Sequence, residues 1–269
     1  MICYPNAKIN LGLKILSKRQ DGFHNISSFF LPVPLFDILE LQISSSSIGS
    51  NKITYSGLIT DYIENDLVIK AYDLLNNDFD LLPLNIHLHK CIPFGSGLGG
   101  GSSNAAFMLI MLNRIFNLKL SLPQLCEYGL HIGSDCPFFI YNSFSNVSSI
   151  GDIIKPVNFS FRGYYLVLIK PKIHCSTAKI FNLFTMNNFN KNPLKFNNDI
   201  FEWKDNLKND LEAVVFDLYP ELETIKNYLY SKGAFYASMS GSGSVIYGLF
   251  EHEPIINNEF NCWYWKSKI

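Results

Sequence analysis

A chain that mixes strands and helices in two domains is what the sequence predicts, and three observations carry that expectation. The chain has 269 residues, somewhat more than the ~250 at which a single hydrophobic core stops growing, so two domains are expected, 1–150 and 151–269. Apolar residues make up 48% and charged residues only 17%, a balance that suits packed cores and argues against disorder. Segments with a two-residue period and segments with a helical period follow one another along the chain, with no internal repeat.

The first strand is AKINLGLKIL, residues 7–16. Ile9, Leu11, Leu13 and Ile15 point one way while Lys8, Asn10, Gly12 and Lys14 point the other, the pattern of a half-buried strand. A turn at Asp21 and Gly22 leads into further extended chain, where Pro32 and Pro34 favour edges or loops because proline cannot donate to a ladder. ENDLVIKAYDLL, residues 64–75, has a capping residue ahead of Leu67, Val68, Ala71, Leu74 and Leu75, which is helical spacing. LNIHLHK then alternates as a strand. SNAAFMLIMLNRIF, residues 103–116, reads as an apolar helix opened by a Ser/Asn cap. SLPQLCEYGLHIG is a second helix, with Ser121 as its cap and Gly133 at its C-terminus. GYYLVLIKP is a buried strand, the asparagine-rich segment 185–199 a surface loop, YPELETIKNYLYSKG a helix and GSVIYGLF a strand.

Between the LNIHLHK strand and the apolar helix lies CIPFGSGLGGGSS, with glycines at 95, 97, 99, 100 and 101. Gly95, Gly97 and Gly100 formally fit the GxGxxG dinucleotide pattern. The second strand and terminal acid that a dinucleotide fold needs about 20 residues on are missing, since 118–132 reads as a helix. A nucleoside-triphosphatase P-loop is excluded because Gly101 is followed by Ser102 and not by lysine. What remains is general: without Cβ atoms the loop can bring backbone N–H groups against an anion, and the following helix adds its positive end. A phosphate is the natural guest, and so many glycines are too costly in entropy for a mere connection.

Net charge is −1, with 22 basic and 23 acidic residues, so no long-range basic field exists to capture nucleic acid. A small-molecule partner is expected, with neither nucleic acid nor membrane. The opening MICYPNAKIN shows no basic stretch followed by an apolar one, and no apolar run approaches the ~18 residues of a membrane helix. A cytoplasmic location is therefore expected. Six cysteines are scattered without CxxC pairs, which predicts reduced, mostly buried thiols and not a zinc site. His87 and His89 share a strand face, for which a polar surface role is expected before metal binding.

IPFGSGLGGGSSNAA resembles the second motif of the GHMP kinase superfamily, the group of galactokinase, homoserine kinase, mevalonate kinase and phosphomevalonate kinase. AKINLGLKILSKRQDGFH, GSDCPFF and SMSGSGSVIYGLF resemble further motifs of one branch, so the likeness runs from residue 7 to about 250. It implies two α+β domains, an N-terminal one like ribosomal protein S5 domain 2 and a C-terminal ferredoxin-like one, with both substrates in the cleft between them. It also implies ATP-dependent phosphorylation of the 2-hydroxyl of 4-diphosphocytidyl-2-C-methyl-D-erythritol, a substrate carrying cytidine diphosphate, in non-mevalonate isoprenoid precursor synthesis.

The same resemblance assigns residues. Lys8 and Asp135 match the catalytic pair. Pro93, Phe94, Gly95, Ser96, Gly97, Leu98, Gly99, Gly100, Gly101, Ser102 and Ser103 match the ATP-phosphate site, with Asn65 or Asp66 near the adenine. Asn10, Phe23, His24, Phe30 and Phe181 match the substrate side, and the SGSGS around Gly241 and Gly243 closes the site. Magnesium is expected with ATP, bridging phosphate oxygens, without an all-protein metal cage. Two departures stand out: Phe23 occupies a usual tyrosine position, and Asn65 and Asp66 appear in reversed order. Another GHMP kinase, or a silent ligand-binding relative, is the alternative; retention of both Lys8 and Asp135 argues against the latter.

Overall fold

Alternating and helical segments produce the following elements in the computed structural model, which describes residues 1–44, 50–58, 61, 63–184, 192–257 and 259–269. The strands are β1 (Ile2–Cys3), β2 (Asn6–Lys18), β3 (His24–Phe36), β4 (Ile38–Ile43), β5 (Lys52–Gly57), β6 (Leu84–Lys90), β7 (Ser145–Ser149), β8 (Ile153–Pro156), β9 (Tyr165–Lys170), β10 (Tyr236–Met239), β11 (Ile246–Phe250) and β12 (Trp263–Lys268). The helices are α1 (Leu67–Phe79), α2 (Gly100–Ile115), α3 (Leu122–Ile132), α4 (Cys136–Tyr141), α5 (Thr177–Leu183), α6 (Trp203–Asn206), α7 (Leu211–Leu218) and α8 (Pro220–Ser231), with a 3-10 turn at Ile200–Glu202.

Chain contacts divide these into two units. One comprises Met1–Lys8, Pro32–Phe94 and Gly99–Ser143; the other comprises Ile9–Leu31, Gly95–Leu98 and Phe144–Ile269.

In the first unit the sheet order is β1-β4-β6-β5. β4 runs antiparallel to β6, while β5 runs parallel to it, and the helix α1 between them supplies the crossover a parallel pair requires. Asp66 caps α1 as the sequence predicts, its Oδ1 accepting from Val68 N at 2.7 Å. Buried α1 residues Val68, Ala71, Tyr72 and Leu75 lie on one helical stripe, and α1, α2, α3 and α4 pack on one another. α2 begins at Gly100 with Gly99 as N-cap and no side-chain cap, three residues before the expected Ser/Asn start. The first turn of a helix leaves its N–H groups unbonded in any case, so Gly100 and Gly101 lose little there. α3 keeps its predicted ends: Ser121 N donates to Gln124 Oε1 at 2.9 Å, and Gly133 is the C-cap.

The second unit carries the antiparallel sheet β10-β11-β9-β12. Val167, Ile169, Ala237, Met239, Ile246 and Phe250 share one core with Ile180 of α5, Leu211 and Val215 of α7, and Leu222, Ile225 and Leu229 of α8. On the alternate positions, Tyr236 meets Trp203 and Tyr247 edge-on or tilted, within an aromatic cluster that includes Phe159, Phe161 and Phe196. The third sheet has the order β2-β3-β7-β8. Ser27 Oγ accepts from Leu194 N at 3.0 Å, which docks the end of the asparagine-rich segment; the loop expected over 185–191 lies outside the described residues.

Three further expectations are corrected. β2 is buried on both faces from Asn6 to Leu13: alternation shows that two faces differ, not that the polar one is wet. β3 runs through Pro32 and Pro34. Its pairing with β7 covers only Ile26–Phe30, so neither proline is asked to donate there. Of the cysteines, only Cys136 and Cys175 are buried; the other four are half-buried, and all six remain thiols. Among the described residues no helix is long and apolar enough to cross a membrane.

Candidate active site

The first unit brings Lys8 and Asp135 together. Lys8 Nζ lies 3.6 Å from Asp135 Oδ2, with 4% of the lysine side chain and 27% of the aspartate exposed. Burial pulls the Lys8 pKa below its ordinary value, and the neighbouring Asp135 charge opposes that shift. Asp135 sits directly before α4, yet its side chain caps nothing. The next residue, Cys136, has its thiol pushed up to about 12 by burial, with Asp135 adding to the rise. It is neutral at ordinary pH and does not compete as a base.

Gly99 lies against this pair. A Cβ there would stand 2.8 Å from the Phe139 ring and 3.2 Å from Lys8 Cε, and its φ is +72°. Both the space and the backbone require glycine. From Gly99 the first turn of α2 presents Gly100, Gly101 and Ser102, all half-buried, then Ser103, fully buried. Ser103 Oγ is the one buried side-chain oxygen or nitrogen among the described residues with no hydrogen-bond partner. A buried unpaired hydroxyl is costly, and one in the first turn of a helix fits a site that expects an oxygen-rich guest. At the loop entrance Pro93 is half-buried and Phe94 half exposed.

Asp66 and Asn65 divide their duties. The Asp66 carboxylate caps α1 and accepts from Tyr55 Oη at 2.9 Å, whereas Asn65 is exposed at φ +58°. His87 and His89 are bonded to hydroxyls of β5: Thr54 and Ser56 each reach His87 at 2.8 Å, and Ser56 reaches His89 at 2.8 Å. No group of three or more His, Cys, Asp or Glu among the described residues could hold a metal ion.

In the second unit the loop residues Gly95, Ser96, Gly97 and Leu98 meet the turn between β10 and β11. Ser240 Oγ donates to Gly97 O at 2.8 Å and Val245 N to Ser96 O at 3.1 Å. A Cβ on Gly97 would fall 2.0 Å from Ser240 O. Asn10 belongs to the same cluster: Tyr247 Oη donates to its carbonyl at 2.5 Å, its Nδ2 donates to Ser28 Oγ at 3.1 Å, and its Oδ1 lies 3.5 Å from Ser240 Oγ. His24 and Phe181 pair their rings at 5.2 Å and 38°, and burial, reinforced by Lys18, lowers the His24 pKa. Phe23 is 58% exposed at the turn, while Phe30 is only 2% exposed, so the structure does not place these two in equivalent settings.

Several supporting residues escaped the sequence reading. Asn209 Nδ2 donates to Met239 O at 2.9 Å and Gly241 O at 2.8 Å, and its Oδ1 accepts from Leu211 N at 3.0 Å; it both opens α7 and clamps the glycine turn. Its signal was an Asn-Asp pair ahead of an apolar helix. Glu212 accepts from Ser238 Oγ and Met239 N, both at 2.8 Å, and pairs with Lys226 at 2.5 Å. In the first unit Lys90 is paired with Asp37 while both are almost wholly buried, and no local pattern announced that pair.

Residues 66–143 match the model of the GHMP kinases N terminal domain and residues 192–263 that of the GHMP kinases C terminal region. The chain belongs to the GHMP kinase family, a class of ATP-dependent small-molecule kinases. It is 48% identical over 259 residues to the 4-diphosphocytidyl-2-C-methyl-D-erythritol kinase of Bacteroides fragilis, covering 95% of this chain and 94% of that one. To the kinase of the same name from Parabacteroides distasonis it is 42% identical, over the whole of both chains. A crystal structure of 4-(cytidine 5'-diphospho)-2C-methyl-D-erythritol kinase superposes with a TM-score of 0.78 at 27% identity, covering 93% of this chain and 90% of that one. The two-domain α+β GHMP fold expected from the sequence is thereby established.

Proposed function

We propose that this chain transfers the γ-phosphoryl group of ATP to the 2-hydroxyl of 4-diphosphocytidyl-2-C-methyl-D-erythritol, a step of isoprenoid precursor synthesis outside the mevalonate route, in the cytoplasm. The observation that carries the reading is the Lys8–Asp135 pair beside Gly99 at the mouth of a glycine-opened helix. Asp135 accepts the hydroxyl proton as the new O–P bond forms and the bond to the bridging oxygen of ADP breaks. Lys8 neutralises charge on the transferring group.

In this reading residues 1–150 supply the catalytic pair and the phosphate loop, Pro93 to Ser103, whose amides and hydroxyls hold the nucleotide. Residues 151–269 complete the substrate side. Asn65, the exposed member of its pair, meets the adenine, while Asp66 holds the helix beneath. His24 and Phe181 present paired rings for the cytosine; Asn10, Phe23 and Phe30 complete that side. Magnesium bound with ATP would supply charge neutralisation, and the hydroxyl of Ser103, left without a protein partner, is an oxygen donor suited to a hard cation.

A coupled ADP-release assay with ATP, magnesium and the cytidine-linked alcohol tests the proposal. Turnover with that alcohol and none with homoserine or mevalonate is expected; equal turnover of either substitute overturns the substrate assignment.

A further inference from the structure

We propose that Asp37, Lys90 and Asn104 act as positioning residues that hold the two ends of the phosphate loop at a fixed separation, so that they set ATP affinity without taking part in the chemistry. The inference rests on the loop being the ATP site. It comes from how one carboxylate is shared. Asp37 lies between β3 and β4 and is 0% exposed. Its Oδ1 accepts from Cys91 N at 2.7 Å and Ile92 N at 2.8 Å, the two residues by which the chain leaves β6 and enters the loop. Its Oδ2 accepts from Asn104 Nδ2 at 2.9 Å, in the second turn of α2, beyond the loop's exit. One oxygen holds the entrance and the other the exit.

Lys90 closes the arrangement. Its Nζ bonds Asp37 Oδ2 and donates to Asn104 Oδ1 at 2.8 Å. The ammonium lies 5.2 Å from the centre of the Phe94 ring, a loop residue, and 3.4 Å from where a Cβ on Gly100 would stand. Lys90 is 2% exposed. Burial lowers its pKa while Asp37 opposes the shift. A buried ion pair of this kind adds little to stability over apolar residues of equal volume, because both charges must be stripped of water. What it adds is direction: Asp37 has four donors and Asn104 bonds both charges, so no partner can move without leaving a buried group unsatisfied. The parts it fixes are the strand end, the loop entry and the helix whose first amides face the phosphates.

Two variants test this in the full chain. Asn104→Ala cuts the link to α2 but keeps the ion pair. Asp37→Asn/Lys90→Met removes both charges while an amide oxygen remains for Cys91 N and Ile92 N. Each is expected to raise KM for ATP by about tenfold or more, the scale of losing hydrogen bonds to a charged group, with KM for the alcohol and kcat at saturating ATP unchanged. The shift in melting temperature produced by a fixed ATP concentration should shrink in parallel. A folded variant whose KM for ATP matches wild type overturns the proposal, as does an equal rise in both KM values or a fall in kcat alone; a lower melting temperature without the KM change marks a merely structural role. If one variant does not fold, the other carries the same readout. Wild-type chain that fails to use ATP would overturn the functional reading together with this one, whereas normal wild-type kinetics with unmoved variants overturns this one alone.

Discussion

A lysine with only 4% of its side chain exposed gives up its proton more readily than one in water, and this sets a signature for Lys8. Its lowered pKa means that the cationic form is lost, as pH rises, before the ordinary lysine value of 10.5. If the charge is required, kcat/KM, which reports the free enzyme, falls on an alkaline limb that begins below that value. Lys8→Arg, which cannot deprotonate in the accessible range, should remove the limb even where it reduces the rate. An alkaline limb that stays put in Lys8→Arg would assign it to another group. For Asp135→Asn the expected loss in kcat is about 10²- to 10⁴-fold, the range of a positioned general base, with KM for ATP little changed. Unaltered turnover would remove Asp135 from the base role.

At the scale of elements, the join of loop and helix makes a sharper demand than either residue. Gly99→Ala would introduce a Cβ at φ +72° and push on both the Phe139 ring and Lys8. Gly22→Ala would meet nothing within 4 Å at φ +86°. The backbone cost is similar, about 1–2 kcal/mol for a side chain in the left-handed region. Gly99→Ala adds those close contacts to the backbone cost, so its unfolding midpoint should fall further than that of Gly22→Ala, and activity of the folded chain should fall only in Gly99→Ala; equal activities would detach Gly99 from the site. The strand, loop and helix themselves were legible from periodicity and glycine content, and the Asp66 cap from its place before an apolar stripe. The exact start of α2 was not, because glycine's poor helix propensity hides its fitness for a first turn whose N–H groups are unbonded. Asp37 and Lys90 were illegible for another reason: they are 53 residues apart in sequence, and pairing across that distance leaves no local period. The wet face assigned to β2 failed similarly, since alternation in one strand does not say what will cover it.

For the molecule as a whole, charge and binding separate what the loop does from what the catalytic pair does. With a net charge of −1 the chain has no global field to gather nucleotides, so the proposed ATP site depends on local donors, for which the amides and hydroxyls from Gly95 to Ser103 are the candidates. A ligand that binds only the folded chain stabilises it by about 2.7 kcal/mol at 100 times its Kd. For a chain of this size each kcal/mol moves the melting midpoint by roughly 2–4 °C. Magnesium-ATP should accordingly raise the midpoint by about 5–10 °C, and NAD should not move it, since the GxGxxG likeness is formal only. Asp135→Asn should keep most of that shift, having lost chemistry but not the cradle. Gly97→Ala should lose it, because its Cβ would fall 2.0 Å from Ser240 O and displace the loop. A thermal shift retained in Gly97→Ala would place the nucleotide elsewhere, and a shift with NAD equal to that with ATP would return the glycine stretch to a dinucleotide site.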